Sequence, residues 1–208
     1  MESGSGFDRL RAACKRLAPL GNAELEGLEA IFSVRRLDKG AYLLKPGARP
    51  SHFFFVASGL LRYFVRGRTG KEFNKVFLAE GQFSSPQAVC PVDGGSECGV
   101  QALEPAEVLA ADLGAFNALY ERHPAFERLG RRLLEEWVVR REGSVRGLFL
   151  EDAGERYLAF LARHADLAQR VPQYHIASYL GINEVSLSRI RGTLARRPGR
   201  SALPVTSA

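Results

Sequence analysis

Near the C-terminus, Glu184, Val185, Ser188 and Arg189 bring together side chains suited to reading base-pair edges. A guanidinium can fork onto O6 and N7 of guanine, a carboxylate can accept from the amino group of cytosine, and a small apolar side chain can meet a thymine methyl. On a helix these positions share one side, because residues three and four apart are neighbours there. Gln173, Tyr174, Ser186 and Arg191 lie nearby with donors suited to phosphate oxygens, contacts that fix position and carry no sequence information. From Leu167 to Arg200 six arginines (Arg170, Arg189, Arg191, Arg196, Arg197, Arg200) stand against one acid, Glu184, a local charge of +5 in a chain of net +6. A polyanion suits such an end, although charge alone fits a solvated basic tail equally well.

Positioning these residues requires two short helices set against each other, and the stretch VPQYHIASYLGINEVSLSRIRGTLARR, Val171 to Arg197, encodes that. Pro172 is a good helix entry, and Ile176, Ala177 and Leu180 give the first helix, Gln173 to Leu180, an inward face. Gly181 permits a turn with positive φ, Ile182 plugs its inside, and Asn183 is a good N-cap. Leu187, Ile190 and Leu194 then form the inward row of a second helix. Two helices that bury such rows through a turn of three or four residues make a helix-turn-helix, whose second helix enters the major groove by its first half. The competing reading is a helical hairpin in an ordinary bundle.

The rest of the chain reads as an α+β protein. At 208 residues, 46% hydrophobic and 25% charged, it is long enough for one large domain or two small ones and is neither disordered nor fibrous. No apolar run approaches a membrane span and the start lacks the h-region of a secretory signal, so a cytoplasmic protein with no membrane partner is expected. Three cysteines (Cys14, Cys90, Cys98) make no disulfide framework, which agrees with a reducing compartment. Phe7 to Leu17 and Ala23 to Phe32 look like two short helices. From Ser33 to about Asp112, aromatic and β-branched runs are separated by Gly, Pro and Asp, the pattern of an antiparallel sandwich or jelly roll. Phe53 to Ala57 is apolar throughout and should be covered on both sides. Leu61, Tyr63 and Val65 alternate with Arg62, Phe64 and Arg66, as in a strand with one buried and one largely wet face.

From Pro124 a long helix carries Phe126, Leu129, Leu133 and Trp137 together with the row Leu134, Val138, Val145. Gly143 and Gly147 should weaken it unless a partner packs closely. The stripe exceeds what one roll can cover, so a homodimer is expected, with Leu133 and Trp137 near the seam. Tyr157, Leu158, Leu161 and Ala165 mark the inner face of a further helix. The expected division is residues 1–121 for the N-terminal helices and effector-type roll, 122–150 for a linking dimerisation helix, 151–197 for the DNA-binding domain and 198–208 for a tail with little to hold it.

On these residues the chain resembles the Crp/Fnr family of bacterial transcription regulators over roughly residues 20 to 197. KGAYLLKPG (Lys39 to Gly47) with FFFVASGLLRYFV (Phe53 to Val65) is similar to the family's cyclic-nucleotide-type roll, and IASYLGINEVSLSRIR is similar to its DNA-reading element. The resemblance implies a dimer on a palindromic double-stranded operator, with Glu184, Val185 and Arg189 at base-reading positions and RNA polymerase as a further partner. It also implies a Gly-Glu pair for ribose and an Arg beside a small residue for the cyclic phosphate, and here the chain departs. Ser84-Ser85 and Ser96-Glu97 stand at those places, and no arginine occurs between Arg68 and Arg122. Ser84, Ser85, Ser96 and Glu97 are therefore the candidate lining of an effector pocket for an unidentified small molecule. No cofactor is assigned, and cyclic AMP is not expected to bind by the family's contacts. Ser201 to Ala208 are too few for the full β-wing that family members often add.

Other chemistry finds little support. Cys90 and Cys98, eight apart, lack the close spacing of zinc or redox pairs. GRTGK (Gly67 to Lys71) lacks the first glycine and the Ser or Thr of a phosphate loop. The four histidines (His52, His123, His164, His175) are scattered, so no metal site is expected, and no nucleophile or carboxylate pair suggests an enzyme. Two readings remain: a sequence-specific DNA-binding regulator, or a small-molecule-binding or signalling module whose helical end makes protein contacts.

Overall fold

The computed structural model describes residues 5–84 and 98–196, with the side chains of residues 144 and 145 left out. Contacts divide the chain into two compact units, Met1–Arg140 and Arg141–Ala208.

In the first unit, α1 (Gly6–Leu17) and α2 (Asn22–Glu29) precede eight strands: β1 (Phe32–Leu37), β2 (Tyr42–Leu44), β3 (His52–Ser58), β4 (Leu61–Arg66), β5 (Glu72–Leu78), β6 (Phe83–Ser84), β7 (Cys98–Ala102) and β8 (Ala106–Asp112). They form two four-stranded antiparallel sheets, ordered β1-β8-β3-β6 and β2-β7-β4-β5. A short helix α3 (Leu113–Ala118) and the long α4 (Pro124–Leu150) follow.

The continuous apolar run Phe53 to Ala57 is buried at every position because β3 serves two cores. Phe54 and Val56 face the roll interior with Leu61, Tyr63, Val100 and Val108. Phe53 and Phe55 face outward beneath Leu10, Leu25, Leu28 and Phe116, with Phe53 stacked on Phe116 at 4.1 Å between ring centroids. At the ends of β3 and β4 the strands obey the expected alternation, but the middle of β4 does not. Arg62 (5% exposed) and Phe64 (0%) are as buried as Leu61 and Tyr63. The reason is local: Phe64 lies against Gly99, where a Cβ would come within 2.4 Å of its ring, and the Arg62 guanidinium sits 4.2 Å over that ring. Arg62 is further held by Gln101 Oε1 (2.9 Å from Nε), Asn74 Oδ1 (3.1 Å) and Glu72 Oε2 (2.5 Å). A charge paired and hydrogen-bonded in this way can be buried at tolerable cost.

The start of α4 corrects the expected seam. Leu133 (6% exposed) is buried with Ala125, Phe126 and Leu129 in the core under the N-terminal helices. Trp137 packs against the roll cluster and donates its indole N–H to the Phe83 carbonyl at 3.4 Å. Both therefore belong to the roll, whereas Leu134 (59% exposed), Val138 (65%) and Val139 (73%) on the same helix are open.

The second unit contains α5 (Ala153–Arg163), α6 (Leu167–Arg170), α7 (Gln173–Leu180) and α8 (Glu184–Ala195). Asp152 and Glu155 form a capping box that starts α5. Its buried pair is Tyr157 and Phe160, while Leu158 is 47% exposed. Ala165 lies beyond the end of the helix, so the inner face is displaced from the one expected: the helix stops before that residue and the larger Phe160 takes the core position. Among the described residues no helix is long and apolar enough to cross a membrane.

Candidate nucleic-acid interface and roll interior

The turn between α7 and α8 follows from three residues. Gly181 adopts φ +71°, a conformation that costs other residues about 1–2 kcal/mol. The N–H of Ile182 then donates to the Ala177 carbonyl at 3.0 Å, and the Asn183 side chain accepts from the Ser186 N–H at 2.8 Å, capping α8. Ile176, Ala177, Leu180 and Leu187 are buried. Arg156 of α5 donates to the Leu180 carbonyl at 3.2 Å and to the Glu151 carbonyl at 2.6 Å, which ties the end of α7 to the preceding helix.

With that side of α8 fixed inward, Glu184, Val185, Ser188, Arg189 and Arg191 are all exposed, Val185 to 60%. The Arg189 side chain makes no hydrogen bond or ion pair among the described residues; only its carbonyl is engaged, by Thr193 Oγ1 at 3.0 Å. Glu184, Val185 and Ser188 occupy the first half of the helix, with Arg189 next to them. Ser188 and Arg191 also line a groove against α5. Of the residues expected at phosphates, Tyr174 is 52% exposed and its ring packs on His175 at 4.0 Å between centroids. Gln173 has its side-chain carbonyl buried without a partner, and Ser186 has its backbone N–H committed to the cap. His175, 6% exposed, is an interior polar residue that the apolar pattern of α7 does not reveal.

In the roll, Ser84 is 1% exposed and its hydroxyl is hydrogen-bonded to Tyr63 Oη. Around this pair the interior is apolar: Phe54, Val56, Leu61, Val100, Val108 and Ala110, with Trp137 beside them. Arg62 is displaced to the other face of β4 by the pleat, so among the described residues that interior presents no guanidinium. Tyr63 is the neighbour that sequence reasoning missed, because nothing in its own strand marks which residue of β6 it will meet. Ser85, Cys90, Ser96 and Glu97, like Arg197 and Arg200, lie outside the described residues. Cys14 and Cys98 are buried free thiols, and burial, with Glu29 nearby, pushes Cys14 up to about 12. Among the described residues no group of three His, Cys, Asp or Glu could hold a metal ion.

A double-sheet roll, a long helix and a capped helix-turn-helix with an open reading face define a two-part sensor and DNA-binding class of protein. Residues 34–123 match the family model of the cyclic nucleotide-binding domain. No curated protein matches the chain in sequence. Among solved structures, a CooA variant from Carboxydothermus hydrogenoformans is 24% identical with a TM-score of 0.65, covering 82% of this chain and 79% of that one. The c-di-GMP responsive global regulator CLP from Xanthomonas campestris is 15% identical, TM-score 0.69, covering 85% and 92%. A transcriptional regulator assigned to the Crp/Fnr family from Eubacterium rectale is 14% identical, TM-score 0.67, covering 86% and 85%. The chain thus carries a cyclic nucleotide-binding-type domain and has the fold of the Crp/Fnr transcription regulators, as its roll and helix-turn-helix motifs suggested.

Proposed function

We propose that the protein is a cytoplasmic, dimeric, sequence-specific DNA-binding transcription regulator of the Crp/Fnr type, whose helix Glu184–Ala195 reads the major groove. The observation that carries this reading is the set Glu184, Val185, Ser188 and Arg189, open on a helix whose opposite side is buried and whose first turn is capped. Gln173, Tyr174 and Arg191 would meet the backbone. The unpartnered Leu134 and Val138, four apart on the long helix, support dimerisation along that row in place of Leu133 and Trp137. A two-fold dimer then sets two inverted half-sites about one helical turn apart.

The roll does not respond to cyclic AMP on this reading. An anionic phosphate needs a fixed donor such as a bidentate arginine, whereas Ser84 is already taken by Tyr63 and the interior around them is apolar. CLP, by its title, answers to c-di-GMP, so a roll of this fold is not bound to one effector. The test is site selection from a random duplex library, followed by binding at two salt concentrations. A palindromic motif with strongly salt-dependent affinity is expected. Binding without sequence preference, or none at low salt, would reject the assignment.

A further inference from the structure

Between α5 and α8 runs a groove of about 560 Å³ lined by Tyr157, Leu158, Leu161, Ser188, Gly192 and Ala195, among others. Its floor and walls are mainly apolar, and Leu158 is 47% exposed there. Along α8 the lining extends from Ser188 to Ala195, about 10 Å at the helical rise. The groove therefore ends where the chain leaves the helix. The sequence that follows Arg196 is RPGRSALPVTSA. Pro198-Gly199 is a strong reversal signal immediately past the helix. Ala202-Leu203-Pro204-Val205 is the only apolar stretch beyond it, and as an extended segment it spans about 13 Å. Six residues separate Arg196 from Ala202, enough for about 20 Å of chain, twice the length of the groove. Pro204 favours extended backbone and brings no N–H that an apolar wall would leave unpaired.

We propose that the C-terminal segment Ala202–Val205 folds back into this groove, with Leu203 against Leu158 and Leu161, and clamps the last turn of α8 to α5. A wing of paired strands is then unnecessary, because four residues cover the apolar surface that the recognition helix leaves open on its α5 side. The clamp covers a different side of α8 from Val185 and Arg189, so it holds the helix without occupying its reading face. The inference stands on the groove and the tail alone and does not depend on what α8 recognises.

The experiment is cysteine cross-linking in the full chain. Leu158→Cys with Leu203→Cys should give, on mild oxidation, a disulfide joining positions 158 and 203 within one chain. Peptide mapping identifies it among the native thiols, and mixed isotope-labelled and unlabelled chains separate intrachain from interchain links. Val185→Cys with Leu203→Cys should give none. A link only between chains would mean that a second copy fills the groove and would overturn the proposal, as would absence of the link. Leu203→Asp supplies a check without engineered thiols. Hydrogen exchange should quicken in residues 157–161 and 191–195 and stay unchanged in 173–180, whereas equal exchange in both proteins, or quickening throughout the unit, counts against the clamp.

Discussion

Arg62 and Arg189 are the same side chain in two opposite settings. Arg62 lies in the roll at 5% exposure, with Gln101, Asn74 and Glu72 as partners and the Phe64 ring beneath it. Arg189 projects from a helix with no side-chain partner among the described residues. The first has its hydrogen-bonding capacity spent inside the protein and can act only on stability. The second has its fork free, and the physical reason for leaving it so is a ligand that matches a bidentate donor. Sequence patterning treats the two alike, since both alternate with apolar neighbours. The contrast extends to the units: the roll holds its polar groups in internal pairs, and the helix-turn-helix presents them.

The largest effect should come from breaking the buried set. Arg62→Ala leaves the Glu72 carboxylate and the Asn74 and Gln101 amides without their common donor, and should cost about 3–5 kcal/mol of stability. Urea denaturation measures this; a loss below about 1 kcal/mol would mean that water reaches the cluster and that the contrast with Arg189 is overstated. Next comes the open row on the long helix. Leu134→Glu with Val138→Glu should weaken self-association by at least about 2 kcal/mol, the scale of interface anchors, while leaving the roll folded, because neither residue is packed in it. Sedimentation showing an unchanged dimer would place the seam elsewhere.

Arg189→Ala is the reciprocal of Arg62→Ala. It should leave folding stability within about 0.5 kcal/mol and cost about 1–3 kcal/mol at the selected site, relaxing one base pair per half-site. An unchanged motif and affinity would remove α8 as a reader of bases. Smaller still is Asn183→Ala, which deletes the cap and should cost about 1 kcal/mol in the second unit alone, seen by thermal melting.

What could be read in the sequence divides along the same line. The helix-turn-helix was legible to within a residue because its determinants are local: a glycine at positive φ, an asparagine cap and leucines at helical spacing. β3 was legible because an unbroken apolar run leaves few options. The orientation of Arg62, the partner of Ser84 and the choice between Leu133 and Leu134 as seam residues were not. Each depends on what another strand or helix brings from far along the chain: Gly99 makes room for Phe64, Tyr63 reaches β6, and the core under α1 and α2 claims Leu133. Two apolar rows on one helix look equivalent until one is covered.

The smallest effect concerns acid, and it too should arise in the roll. Burial pushes the Glu72 carboxyl up, but hydrogen bonds from Arg62 and Arg66, with their charges, outweigh it and hold the group below its ordinary value of 4.5. The unfolded chain then binds the proton more readily than the folded one, so the contribution of Glu72 is present above its ordinary value and is lost as pH falls through the lower folded one. His52 is also lowered, from 6.5, by burial first and by the charge of Arg35 second, against a smaller opposing pull from Asp112. Here the unfolded chain again takes up the proton first, so stability declines as pH drops below the ordinary histidine value. The two groups act in the same direction in separate windows, the histidine near pH 6 and the carboxylate below about pH 4.5. Urea titrations across that range should show two steps of decline, with His52→Gln removing the upper and Glu72→Gln the lower. A Glu72→Gln protein that keeps the whole low-pH decline would show that the carboxylate is not what ties the buried arginine to pH.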